Sequence, residues 1–264
     1  MTTALITGGT AGIGRAFADK FAALGYDLVL VARNQERLDA TAGELRGESA
    51  GTDEERQRAE RRVETLSADL ATVQGRALVE ERLAEKDRPV DILVNNAGFG
   101  IAHSFRSGSL EEEERLIDVH VRAVLRLTHA ALPGMVLRGK GSVINVASVA
   151  AFVPRGTYSA AKAWTVSFSE SVAAELNGTG VRCMALCPGF THTEFHDRAE
   201  VDPQQIPNWM WLDADEVVDA AIDDLRKGLT VSVPSIKYKA LVGVSKIVPR
   251  RLSTRVSRGV SKRW

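Results

Sequence analysis

Thr7-Gly8-Gly9-Thr10-Ala11-Gly12-Ile13-Gly14 lies between an apolar run, Ala4-Leu5-Ile6-Thr7, and a segment of helical spacing that opens at Gly12 and stops at Gly25. Strand, glycine turn and helix in this order suit a phosphate site. Gly8 allows a tight turn, Gly12 a close approach of backbone to a pyrophosphate, and Gly14 close packing of helix on strand. The helix N-terminus adds free N–H groups and a partial positive charge. A glycine turn alone is weak evidence, but the flanking elements are those the dinucleotide reading requires.

Outward from this turn, apolar runs recur at residues 28–31, 63–67, 90–95, 142–146 and 181–187, with helix-period segments between them. Strand–helix alternation with nearly continuous hydrophobic strands predicts a parallel sheet covered on both faces. The expected fold class is therefore α/β, a doubly wound Rossmann-type parallel sheet of about seven strands in a single domain. Helix starts are expected at Ser109 with Glu112 and at Asp213 with Glu216, both with capping-box spacing. The run Glu111 to Glu114 reads as a solvated first helical turn, and residues 48–62 as a polar surface extension.

The 264 residues carry 34 basic and 34 acidic side chains, so the formal net charge is zero. That balance argues against a nucleic-acid partner, which needs a basic excess. With 44% hydrophobic and 26% charged residues the chain reads as a soluble globule. No run approaches the ~20 apolar residues of a bilayer span. The chain enters its first strand without a basic leader, which makes a cytoplasmic protein the expectation. Cys183 and Cys187 are too few for a disulfide framework and read as buried thiols. His103, His129, His192 and His196 form no ligand pattern, so no metal is expected.

Three further motifs follow the turn in order: Asn95-Asn96-Ala97-Gly98 after the fourth strand, Tyr158-x-x-x-Lys162 in a helical segment, and Pro188-Gly189 with Thr191 and Thr193 after the sixth strand. With the Gly-x-x-x-Gly-x-Gly turn, they make residues 2 to about 234 resemble the short-chain dehydrogenase/reductase family. The resemblance implies hydride transfer between a nicotinamide cofactor and a carbonyl or alcohol substrate. By that resemblance Gly8, Thr10, Gly12, Ile13 and Gly14 hold the pyrophosphate side. Asp69 and Leu70 contact adenine, and Asn96, Ala97 and Gly98 floor the site. Pro188, Gly189, Thr191 and Thr193 close over the nicotinamide, and Lys162 holds its ribose beside Tyr158.

The second strand ends Val31-Ala32-Arg33-Asn34. NAD binding wants an acid there, whereas a 2′-phosphate attracts Arg, so Arg33 predicts NADP(H). Tyr158 and Lys162 are four apart on one helix face. A nearby ammonium favours phenolate, which lets Tyr158 exchange a proton with the substrate oxygen. Ser148 matches the family's oxygen-binding serine. It stands ten residues before Tyr158, about three fewer than the family's usual spacing, so the intervening loop is short. A second departure is His120, which occupies the place of the family's usual Asn. An imidazole with its ordinary pKa near ~6.5 would anchor the relay water there, or would merely pack against the sheet.

Phe195, Trp209, Met210 and Trp211 fall where the family has a lid. They suit an apolar substrate, or simply fill the core. The domain assignment is 1–234 for the cofactor-binding catalytic unit and 235–264 for a basic amphipathic extension. From Ser235 onward there are nine Lys or Arg and no acid, and Leu252, Val256, Val260 and Trp264 recur every fourth residue. Such a helix either touches an anionic membrane surface peripherally, packs on the acidic body, or joins a subunit interface. The family's long helices imply a homo-oligomer. The competing reading is a non-catalytic NADP(H)-binding sensor or scaffold on the same fold.

Overall fold

The computed structural model describes residues 2–47, 62–101, 103–154, 156–195 and 206–247. Its seven strands are β1 (Thr3–Thr7), β2 (Asp27–Ala32), β3 (Val63–Ser67), β4 (Ile92–Asn95), β5 (Gly141–Val146), β6 (Val181–Leu186) and β7 (Val231–Ser232). All neighbours pair in parallel, in the order β3-β2-β1-β4-β5-β6-β7. The order reverses between β1 and β4. Their carboxyl ends, carrying the glycine turn and Asn95-Asn96-Ala97-Gly98, therefore flank the crevice where an open α/β sheet binds ligands.

Among the described residues eight α-helices cover the sheet: α1 (Gly12–Ala23), α2 (Gln35–Arg46), α3 (Val73–Ala84), α4 (Leu110–Ile117), α5 (Val124–Arg138), α6 (Gly156–Glu175), α7 (Ala214–Arg226) and α8 (Ile236–Ile247). Strand residues alternate between two cores, as a period of two demands. Ala4, Ile6, Leu28, Leu30, Ile144 and Met184 meet Phe17 and Phe21 of α1, Leu38 of α2 and Val217 of α7. Leu5, Val29, Leu93, Val143 and Cys183 meet Val79 of α3 and Leu127 and Met135 of α5. Cys183 and Cys187 are buried free thiols. Burial pushes the Cys183 thiol up to about 12 against a hydrogen bond with Ser169, so it stays protonated.

The six anticipated strands appear within two residues of their expected ends. One local expectation changes. Ser109 stands at the start of α4 without a side-chain capping bond, and Glu112 instead meets His103 Nε2 at 2.7 Å. Asp213 does cap α7, accepting from the Asp215 N–H at 2.8 Å. Between α4 and α5 the chain loosens into a π-helical turn, Asp118–Ala123, of the kind that concentrates at functional sites.

The close-packing role of Gly14 is explicit. A Cβ there would sit 2.2 Å from the Gly8 carbonyl oxygen and 2.4 Å from Asn96 Nδ2. Gly14→Ala is expected to destabilise the fold by about 1–3 kcal/mol through overpacking. Chemical denaturation should show a lower midpoint at unchanged m, and an unchanged midpoint would mean the turn gives way freely.

The basic segment after Ser235 begins as α8, whose Tyr238 is 3% exposed and joins a third apolar cluster with Val166, Cys187 and Val233. The polar extension at 48–61 and the amphipathic repeat after Pro249 lie outside the described residues. No helix among the described residues is long and apolar enough to cross a membrane.

Candidate active site

A cleft of about 1550 Å³ opens along the carboxyl ends of the strands. Every residue expected at the site lines it, except Gly14, which is spent on packing. At its floor Gly8 (φ +68°) and Gly12 (φ +53°) take the left-handed backbone that L side chains rarely adopt. A Cβ on Gly12 would meet Thr193 at 2.9 Å, so the glycine turn and the segment after β6 face each other at close range. Ala11 starts α1 without a side-chain cap, which leaves the first N–H groups of that helix for a ligand. Thr7 ties the turn to β4: its Oγ1 accepts from the Asn96 and Ala97 N–H groups, both at 3.0 Å. The Asn96 amide donates back to the Thr7 and Gly8 carbonyls at 3.0 and 3.3 Å. This is a cradle shaped for a dinucleotide pyrophosphate, with glycines where side chains would fill it.

At the adenine end Arg33 is exposed at the cleft wall, one residue past β2. Asp69 opposes it. Burial works against that carboxylate, but the Arg115 guanidinium at 2.8 Å and the Ala71 N–H at 3.0 Å hold it below its usual range. Arg37, which sequence reasoning missed, also lines this end and reaches across to Glu194 at 2.7 Å. It stands in the first turn of α2, whose start Asn34 caps by accepting from the Arg37 N–H at 2.8 Å.

At the inner end Tyr158 and Lys162 rise one turn apart on α6. Lys162 is buried, donates to the Val146 carbonyl at 2.6 Å and lies 5.7 Å from the Tyr158 ring centroid. Burial brings its pKa down to about 8, opposed by Cys187. The phenol does not move as the sequence implied. Desolvation in the cleft wall pushes it up to about 12, opposed by a hydrogen bond with Ser148. The physical reason is placement: the ammonium is engaged with Val146 and faces the ring, so it does not offset the loss of water at the hydroxyl.

Ser148 reaches Tyr158 although the loop between them is short. One 3₁₀ turn, Val149–Phe152, takes up the chain, and Ser148 Oγ starts it by accepting from the Ala150 N–H at 3.1 Å. Thr191 departs from its expected role in detail: it is 2% exposed, and its hydroxyl donates to the Gly189 carbonyl at 3.1 Å.

His120 sits in the π-helical turn, 1% exposed, with its ring 5.5 Å from that of Tyr158 at a near-perpendicular angle. Its Nε2 is 3.0 Å from the Phe99 N–H, which donates to it, and 2.9 Å from the Phe99 carbonyl. Nδ1 is buried without a partner. Burial first, then the Lys162 ammonium, holds the imidazole well below its ordinary pKa, against a hydrogen bond with Phe99. The ordinary value expected from sequence is therefore corrected, and His120 is a neutral ring at neutral pH.

Of the aromatics expected at the lid, Phe195 lines the cleft, whereas Trp209 and Trp211 do not. Phe195 lies 6.0 Å from the Tyr158 ring. Trp211 stacks on His192 at 4.6 Å and Trp209 is exposed, so the paired tryptophans are not a common core. Tyr238 of α8, another residue without a sequence signal, buttresses the segment after β6. Its hydroxyl donates to the Met210 carbonyl at 2.8 Å and accepts from the Phe190 N–H at 3.1 Å.

The chain is similar to known proteins over most of its length. The short chain dehydrogenase family profile matches residues 2–204. Sulfoacetaldehyde reductase 2 of Chromohalobacter salexigens is 37% identical over 196 residues, 72% of this chain and 73% of that protein. The NADP-dependent 3-hydroxy acid dehydrogenase of Salmonella typhi is 36% identical over 199 residues, again 72% and 73% of the two chains. A short-chain dehydrogenase from Sphingobium yanoikuyae, solved with NADPH, superposes with a TM-score of 0.81 at 37% identity, covering 93% of this chain and 94% of that one.

Proposed function

The chain belongs to the short-chain dehydrogenase family, and from that premise we propose that it transfers a hydride between NADP(H) and a carbonyl or alcohol substrate. The observation that carries the reading is the convergence of Tyr158, Lys162 and Ser148 where the glycine turn and the Pro188–Thr193 segment meet in one cleft. The nicotinamide, when bound, supplies or accepts the hydride. Tyr158, protonated at neutral pH, gives its proton to the substrate oxygen during reduction. Ser148 donates to the same oxygen and stabilises its developing charge. Lys162, buried one helical turn from the phenol and anchored on the Val146 carbonyl, would hold the nicotinamide ribose beside Tyr158. Arg33, with no acid at the end of β2, supports NADP(H) over NAD(H).

His120 serves as a positioning residue. Its Nε2 finds the Phe99 carbonyl when protonated and the Phe99 N–H when not, so both neutral tautomers are satisfied there. Nδ1 is thereby free to offer either a proton or a lone pair to an ordered water beside Lys162. His120→Phe is expected to lower kcat about tenfold while leaving the KM for NADPH unchanged, less than the roughly 10²–10⁴ of a direct general acid because His120 acts only through a water. Unchanged turnover together with an unchanged pH profile would reject the role. In the wild type, kcat/KM for reduction should fall as pH rises through about 8, because the Lys162 ammonium is present below that value and lost above it.

A homo-oligomer accompanies this reading, supported by exposed Leu125 and Leu137 on the long helix α5, and a cytoplasmic location is proposed with it. The direct test is NADPH consumption with a panel of ketones and aldehydes. Turnover of any member supports the enzyme, whereas cofactor binding without turnover across the panel would favour the sensor or scaffold.

A further inference from the structure

The acidic run that opens α4 divides in the folded chain. Glu111, Glu112 and Glu114 are exposed, as a solvated helical turn should be, but Glu113 is 6% exposed. It shares the buried stripe of Leu116 and His120. Its side chain lines the cleft with Phe99, Ile101 and His103. The carboxylate has no hydrogen-bond or ion-pair partner among the described residues, and Oε2 is shut off from solvent. Three nearby bases are engaged elsewhere, Arg115 with Asp69, Arg122 with Asp118, and His103 with Glu112, while the exposed Arg106 also lines the cleft. A carboxylate held without a partner is unfavourable for the fold, and such groups are retained where a ligand completes them.

Position fixes which ligand end it faces. α4 leads into the turn that carries His120, whose ring packs on Tyr158, while Arg115 on the same helix pairs with Asp69 at the adenine end. Glu113 is seven residues before His120, about 10 Å nearer the mouth at 1.5 Å per residue. Apolar groups occupy much of the remaining mouth, among them Phe152, Phe190, Leu241 and Val242. We propose that Glu113 receives an ammonium group on the substrate, so that the enzyme favours carbonyl compounds with an apolar body and a cationic end. The proposal rests on the hydride-transfer reading of the same cleft and names its substrate class.

The test compares two ketones of equal shape, 4-(2-aminoethyl)acetophenone and 4-propylacetophenone, with NADPH and the full chain. The wild type is expected to favour the ammonium ketone in kcat/KM by about tenfold or more, the scale of one charge-assisted hydrogen bond. Glu113→Gln, nearly isosteric and safe for folding, should reduce that ratio about tenfold, chiefly through KM. Glu113→Leu should invert it. Equal ratios in the wild type and both variants, or a wild-type preference for the propyl ketone, would overturn the proposal. Calorimetric binding of the ammonium ketone to the NADPH-loaded protein separates the two readings. Binding weakened by Glu113→Gln supports the recognition site even if neither ketone is reduced, an outcome that counts against hydride transfer alone.

Discussion

Tyr158→Phe is expected to lower kcat for NADPH-dependent ketone reduction about a thousandfold, with NADPH affinity changed little. The magnitude follows from removing the general acid, worth roughly 10²–10⁴ in rate. Lys162 cannot replace it, because its ammonium is buried beneath the ring and donates to the Val146 carbonyl at 2.6 Å. Ser148 can still hold the substrate oxygen, so a residual rate should survive. The phenyl ring keeps its contacts with His120 and Phe195, so a folding defect is not the expected cause of the loss. Steady-state kinetics and fluorescence titration with NADPH check both halves. A variant that keeps full turnover would remove Tyr158 from the chemistry and reopen the sensor reading.

Arg33→Asp should reverse the choice of cofactor, shifting the NADPH-to-NADH ratio of kcat/KM by about a hundredfold or more. Loss of a charge-assisted bidentate contact is worth about 1.5–3 kcal/mol, and the introduced acid both repels a 2′-phosphate and accepts from a 2′-hydroxyl. Arg37 stands at the same end of the cleft, but its guanidinium is engaged with Glu194. Its pairing limits how far it can stand in for Arg33. The shift should lie mainly in KM, since the contact is remote from the reacting atoms. An unchanged ratio would mean that Arg33 is only a surface residue at a strand end.

The sheet was legible because its signal is local and repeated. Burial on both faces requires uninterrupted apolar runs, and those runs stand in the chain as strands β1 to β6. β7 has two residues, too few to make a pattern of their own. Much of the cleft was legible for a related reason. Gly8, Gly12, Tyr158 and Lys162 are spaced by turn and helix geometry that adjacent residues encode. The short path from Ser148 to Tyr158 was readable as a departure, but its accommodation in one 3₁₀ turn depends on the Val149 N–H reaching the Pro188 carbonyl at 3.0 Å, a partner from a different strand end.

By itself the chain settled the alternation of elements, the phosphate turn, the pairing of phenol with ammonium, and the arginine after the second strand, all matters of neighbouring residues. Tertiary structure alone decided the ionisation of the phenol and the ammonium and the fate of isolated polar groups. Glu113 and its three flanking glutamates are chemically identical in sequence, and only the packing of α4 removes one of them from water. His120 and Tyr158 likewise have ordinary titration ranges until the surrounding fold strips away their solvent. Desolvation is a property of what surrounds a group from every direction, and most of those surroundings come from residues distant along the chain.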